Sequence, residues 1–111
     1  MAKRKSRNFV DYNKLRKSLE VRVEDIASAI GVTYHSLEKN PGSEKIQTGL
    51  RKIAYTYRVL SGMVGSEEGA LIWLRAPNPE YDGLSPLEII TQGKIDAIIG
   101  YLEDVKKGSL Y

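Results

Sequence analysis

The sequence predicts an all-α protein: a helix-turn-helix-containing helical bundle followed by a small three-helix unit. Three observations predict it. Strand-like alternation persists nowhere along the chain. Apolar residues instead recur at spacings of three and four, and Ile46, Leu50, Ile53, Ala54, Tyr57 and Leu60 form the longest such stripe. The breaks between periodic runs carry helix punctuation, with Ser or Thr at the starts and Gly or Pro at the stops. About six or seven helices are expected from this pattern.

The first element is "DYNKLRKSLE", which sets Leu15 and Leu19 at i and i+4, one turn after Tyr12. "VEDIASAIGV" puts Ile26, Ala27 and Ile30 on one face, and Gly31 stands where a helix end takes a left-handed residue. "TYHSLEKN" restarts with Thr33 as N-cap. Pro41 and Gly42 break the chain again, and Ser43 caps the long run, which Gly62 and Gly65 end. Ser66 caps "EEGALIWLRA", whose Glu67 and Glu68 suit the positive end of the helix dipole. Pro77 and Pro79 disfavour helical geometry at the residues before them and stop this helix. Ser85, Pro86 and Glu88 read as a capping box with proline at the first helical position. In the last helix Ile95, Ile98, Ile99, Leu102 and Val105 share a face, and Gly108 closes it. Gly100, inside that helix, is read as the mark of a close helix contact. The expected core is Ile26, Ile30, Leu37, Leu50, Ile53, Tyr57, Leu71, Leu74, Leu87, Ile98 and Leu102, with Trp73 buried beside it. Two segments are expected, 1–65 and 66–111, with a seam between Gly62 and Ser66.

Composition narrows the chemistry. With no cysteine there is no disulfide, no thiolate nucleophile and no Cys-based zinc site. His35 is the single histidine, and no acidic neighbours are spaced to make it a metal ligand. Adjacent carboxylates such as Glu67 and Glu68, or Glu103 and Asp104, do not share a helical face, so they read as solvated rather than as an acid–base pair. No nucleophile, phosphate loop or dinucleotide fingerprint appears, so no catalytic residue, no cofactor and no enzymatic activity are expected. No apolar run approaches the roughly 20 residues of a membrane span. No signal core comes after the basic start, so a cytoplasmic location is expected.

Charge is divided along the chain. Residues 1–65 carry 13 Lys and Arg against 6 Asp and Glu, and residues 66–111 carry 4 against 8. A basic first half suits a polyanion. Two short helices joined by a glycine turn, residues 23–40, are what a DNA-binding helix-turn-helix requires. Its second helix would present Thr33, Tyr34, His35, Ser36 and Lys39 to bases or phosphates. Lys3, Arg4, Lys5 and Arg7, in a disordered basic arm, would track the backbone or enter the minor groove. An ordinary helical hairpin shows the same pattern. The second helix also lacks Arg, Asn and Gln at its best base-reading positions.

The second half carries a resemblance. "ALIWLRAPNPEYDGLSPLEIITQGKIDAIIGYLEDVKKG", residues 70–108, is similar to the toxin-binding domain of the Xre/MbcA/ParS antitoxins. The similarity lies in Trp73-Leu74 at a helix end, then Pro77-Asn78, Gly83, Pro86-Leu87, Gly93, Leu102 and Gly108, in matching order and spacing. Residues 12–65 resemble the helix-turn-helix portion of the same family. The resemblance implies a non-catalytic antitoxin that covers the active-site cleft of an NAD-consuming RES-domain toxin and represses its own operon. It implies operator DNA and the toxin as partners, with a homo-oligomeric antitoxin in the complex. Its C-terminal end, Lys106, Lys107, Gly108, Ser109, Leu110 and Tyr111, is then expected at the toxin cleft. The alternative is a stand-alone helix-turn-helix regulator whose C-terminal half only dimerises.

Overall fold

The computed structural model describes residues 9–108. Among them the chain forms seven α-helices and no strand. These are α1 (Tyr12–Leu19), α2 (Val23–Ile30), α3 (Tyr34–Lys39), α4 (Glu44–Val64), α5 (Glu67–Arg75), α6 (Pro86–Thr91) and α7 (Ile95–Lys106), with a 3-10 turn at Pro79–Tyr81 between α5 and α6. The all-α expectation is met.

Local chemistry accounts for most boundaries. Thr33, Ser43, Ser66 and Ser85 each accept a hydrogen bond from a backbone N–H in the first turn of the helix they open. Asp11 does the same for α1, accepting from Asn13 and Lys14. Each such bond removes one of the unpaired N–H groups that a helix start leaves. At the other ends the chain turns left-handed. Gly31 (φ 85°) closes α2 with paired bonds, Val32 N–H to Ala27 O and Gly31 N–H to Ser28 O. That is the Schellman pattern. Glu20 makes the same closure for α1 at φ 59° without being glycine. The expected end of α4 moves: the helix runs through Gly62 to Val64, and only Gly65 ends it.

The long helix α4 is the axis of the fold. It packs against α1, α2, α5 and α7, while α2 also packs on α6. Its stripe supplies Ile46, Leu50, Ile53 and Leu60 to a core that continues through Leu15, Leu37, Ala70, Leu74, Ile98 and Leu102. The segments either side of Gly65 thus share one hydrophobic core. Of the expected core, Ile26, Leu37, Leu50, Ile53, Leu74, Ile98 and Leu102 are buried, and Ile30, Tyr57, Leu71 and Leu87 are half-buried at its edge. Trp73 departs from expectation: it is half-buried, because its place on α5 lies at the margin of the core.

The glycines reverse another expectation. A Cβ on Gly100 would meet nothing within 4 Å, so this residue marks no close contact. The close contact is at Gly49, where a Cβ would lie 2.8 Å from Ile30 Cγ1. Only a bare Cα lets α2 and α4 approach there. Gln47 is buried and fully used: it accepts from Val10 N–H (2.8 Å) and donates to Val10 O (3.0 Å) and Pro41 O (2.8 Å). One buried amide thereby ties the segment before α1 to the turn before α4, without an unpaired polar group.

Candidate functional site

Two exposed regions carry the residues singled out from sequence. The first is the exposed face of α3, the second helix of the expected helix-turn-helix. The Schellman turn at Gly31 holds α2 and α3 together, and buried Ala27 and Leu37 fill the space between them. On α3, Tyr34, His35 and Lys39 are exposed and Ser36 is half-buried. Thr33 is exposed but occupied: its hydroxyl accepts from Ser36 N–H (3.0 Å) and donates to Ser36 Oγ (3.1 Å). Tyr34 is also engaged, donating its hydroxyl to Glu38 Oε2 at 2.9 Å. That hydrogen bond, then the Glu38 charge, pushes the Tyr34 hydroxyl above its ordinary pKa, with smaller contributions including nearby Glu24. Two carboxylates therefore stand close to the face that would approach DNA. Glu38 was not singled out from sequence, although its i+4 spacing from Tyr34 was there to read. Lys3, Arg4, Lys5 and Arg7 lie outside the described residues.

The second region is built by α5, the loop after it, α6 and α7. The loop closes on itself. Asn78 N–H donates to Leu84 O (3.0 Å) and Gly83 N–H to Asn78 O (3.0 Å), while the Asn78 side chain accepts from Glu80 N–H (2.9 Å). Asp82 and Gly83 take successive left-handed conformations to turn the chain. The predicted capping box then starts α6: Glu88 N–H reaches Ser85 Oγ (3.1 Å) and Ser85 N–H reaches Glu88 Oε1 (2.8 Å). Folded this way, the interruption brings three rings together. Trp73 of α5 stacks on Tyr101 of α7, with centroids 6.0 Å apart and planes at 24°. Tyr81 meets Tyr101 edge-on at 6.1 Å. All three rings are half-buried. Burial, then Tyr101 and Glu80 beside it, pushes the Tyr81 hydroxyl up to about 12.

Polar contacts hold α7 against α4. Lys52 Nζ meets Asp96 Oδ1 at 3.0 Å, and Tyr55 donates to Glu103 Oε2 at 2.6 Å with Arg58 over the Tyr55 ring. The Tyr55 hydrogen bond, then the Lys106 charge, holds the Glu103 carboxyl below the usual range. A lowered carboxyl stabilises the fold above its unfolded value, and that contribution is lost as pH falls through the folded value. Three further bonds join this region to the N-terminal helices: Ser28 Oγ to Thr91 O (2.7 Å), and Arg75 Nη2 to both Leu19 O and Glu20 O (2.8 Å each). Sequence reasoning missed Tyr55 and Arg75 and read Glu103 as solvated, whereas it is half-buried and bonded to Tyr55; the partners of all three lie far along the chain.

At the C-terminal end, Lys106 sits 3.9 Å from Glu103, Lys107 is exposed, and Gly108 turns left-handed (φ 72°). Ser109, Leu110 and Tyr111 lie outside the described residues. Among the described residues no group of three His, Asp or Glu could hold a metal ion, and no helix is long and apolar enough to cross a membrane. The groove between α2 and α6, lined by Val21, Asp25, Arg75, Leu87 and Glu88, offers little free chemistry. Asp25 caps α2, Glu88 caps α6, and Arg75 is bound to carbonyl groups.

No curated protein and no solved structure matches the chain. A family model does. Residues 60–108, from the last turn of α4 to the end of α7, match the antitoxin Xre/MbcA/ParS C-terminal toxin-binding domain.

Proposed function

We propose that this chain, whose residues 60–108 match the antitoxin Xre/MbcA/ParS C-terminal toxin-binding domain, is an antitoxin, and that the toxin it restrains is an NAD-consuming enzyme of the RES-domain class. The match over residues 60–108 supports this reading, because it takes in the closed loop, the aromatic cluster and α7 as one unit. The antitoxin acts by covering. Helices between Ser85 and Val105 supply the larger interface, and Lys106, Lys107, Gly108, Ser109, Leu110 and Tyr111 enter the cleft. Leu110 and Tyr111 take up space that NAD needs. No residue of the antitoxin has to perform chemistry. The test is co-expression with a RES-domain protein from the adjacent reading frame. The two should co-purify, and NAD consumption should fall to background. A toxin that stays free and active in the presence of excess antitoxin would sink the assignment.

The helix-turn-helix half serves autorepression, within a homo-oligomeric complex in the cytoplasm. Its support is the α2–turn–α3 geometry, the exposed α3 face and the basic first half. DNA affinity is modest and steeply salt-dependent, because Lys and Arg contacts to phosphate release counterions. Replacing Lys3, Arg4, Lys5 and Arg7 together by alanine should weaken binding to all sequences alike. It should also flatten the plot of log K against log salt by up to about 3.6, at roughly 0.9 per phosphate contact. Replacing Tyr34 and His35 should instead reduce discrimination between the operator and other DNA. Gel shifts with the upstream region that show no complex even at low salt would end the repressor reading.

A further inference from the structure

We propose that the toxin docks on the outward face of α7 together with the Trp73–Tyr101 ring pair, and that the toxin surface seated there is basic. This rests on the antitoxin reading above and goes beyond it by assigning the contact surface. Rings such as these suit an interface. Trp and Tyr are the residue types that most often carry interface energy, as large rigid surfaces with few torsions to freeze. Here Trp73 and Tyr101 are half-buried, and Tyr101 is held between Trp73 and Tyr81. Their arrangement exists before any partner arrives, which lowers the ordering cost of docking.

The face of α7 beside the rings is uncovered. Ala97, Gly100 and Asp104, at i, i+3 and i+7, are all exposed. Gly100 is the informative one. A glycine inside a helix costs about 1 kcal/mol relative to alanine. Among the described residues none uses the space it leaves, since a Cβ there would meet no atom of theirs within 4 Å. The other exposed apolar groups make a poorer candidate. Met63 and Val64 lie at the end of α4, and Ile72 stands on α5 with Glu68 and Arg75 at i−4 and i+3. Charge names the partner. Glu80 and Asp82 beside the ring cluster and Asp104 on the α7 face are exposed, and together they outnumber the exposed Lys107 one turn past Asp104. Residues 66–111 carry 8 acidic side chains against 4 basic. A complementary partner presents Lys and Arg there, which steers the encounter and sets the register.

Two glycines allow a test that spares the fold. Gly100 and Gly62 both lie in helices, are exposed, and have open space where a side chain would go. Arginine at either position raises helix propensity, so both variants should melt at or above the wild-type temperature. Binding of the wild type, Gly100→Arg, Gly100→Glu and Gly62→Arg to the purified RES-domain toxin is measured by calorimetry. Gly100→Arg should weaken binding by about 100-fold or more, as steric and like-charge conflict at an interface does. Gly100→Glu should lose less, and Gly62→Arg should bind as the wild type does. Wild-type affinity in Gly100→Arg would overturn the docking surface and leave the antitoxin reading intact. So would equal losses at both glycines, which would mean that the contact is not centred on α7. A larger loss in Gly100→Glu than in Gly100→Arg would overturn the basic partner. Failure of the wild type itself to bind would remove the toxin assignment and this surface with it.

Discussion

Deleting residues 108–111 is expected to restore most of the toxin's NAD consumption while the two proteins still co-purify. The reason is a division of labour along the chain. On the docking surface proposed above, binding resides in elements that the deletion leaves whole: α7, the Trp73–Tyr101 pair, and the contacts that set α7 against α4. Of these, Tyr55–Glu103 at 2.6 Å and Lys52–Asp96 at 3.0 Å both lie upstream of the cut. Val105 is half-buried and the last apolar residue of the α7 stripe. Lys106, Lys107 and Gly108 after it are exposed, and Gly108 turns the chain out of the helix with its N–H on Val105 O at 2.9 Å. Past Gly108 the sequence adds Ser109, Leu110 and Tyr111. An apolar side chain and an aromatic ring suit a cleft that otherwise receives a nucleotide. The measurement is NAD turnover by toxin saturated with truncated antitoxin, alongside size-exclusion of the mixture. Full inhibition by the truncated protein would refute the plugging mechanism and shift the burden of inhibition to the docked helices. Loss of the complex would show that residues 108–111 contribute to docking as well.

The features legible in the sequence divide from the rest along a physical line. Helix starts were legible because an N-cap acts within three residues of itself: Thr33, Ser43, Ser66 and Ser85 each bond where the sequence places them. The Ser85–Glu88 capping box is the same kind of local device. The core stripe of α4 was legible because one periodicity decides its face. Packing between helices was not. Gly49 and Gly100 look alike in sequence, yet one sits against Ile30 and the other faces open space. Periodicity gives the face of a residue but not what stands opposite. Trp73 illustrates the same gap, since its position in the stripe does not reveal that it stops half-buried against Tyr101 of α7. Gln47 and the Tyr55–Glu103 pair close over 37 and 48 residues, and no local rule links such partners. For the site, order and spacing of Trp73, Pro77, Gly83, Pro86 and Gly108 were enough to point to the toxin-binding domain that residues 60–108 match. The electrostatics of α3 were not so easily read, because the engagement of Tyr34 by Glu38 turns a base-reading candidate into one already bonded.

Leu50→Ala is expected to cost about 3 to 5 kcal/mol, the upper part of the range for deleting a buried leucine. Leu50 is 0 % exposed and lies on the face of α4 that meets the rest of the bundle. The cavity would open in the middle of the longest helix, where α1, α2, α5 and α7 all depend on α4. A helix of 21 residues with partners on several sides has little freedom to shift and fill it. Such a loss is a large fraction of the roughly 5 to 15 kcal/mol that holds a domain together. Urea unfolding monitored by circular dichroism measures it, with the midpoint lowered and the slope unchanged. A shift within error would mean that Leu50 does not support the core. The shared core adds a sharper consequence. Leu37 under α3 and Leu74, Ile98 and Leu102 around α7 belong to the same cluster as Leu50. The substitution should therefore lower the melting of the α3 face proposed for DNA and of the α7 face proposed for the toxin together, in a single transition. If DNA binding were lost on heating at one temperature and toxin binding at another, the two halves would be folding as separate units, and the coupling through α4, Ser28–Thr91 and Arg75 would be too weak to join them.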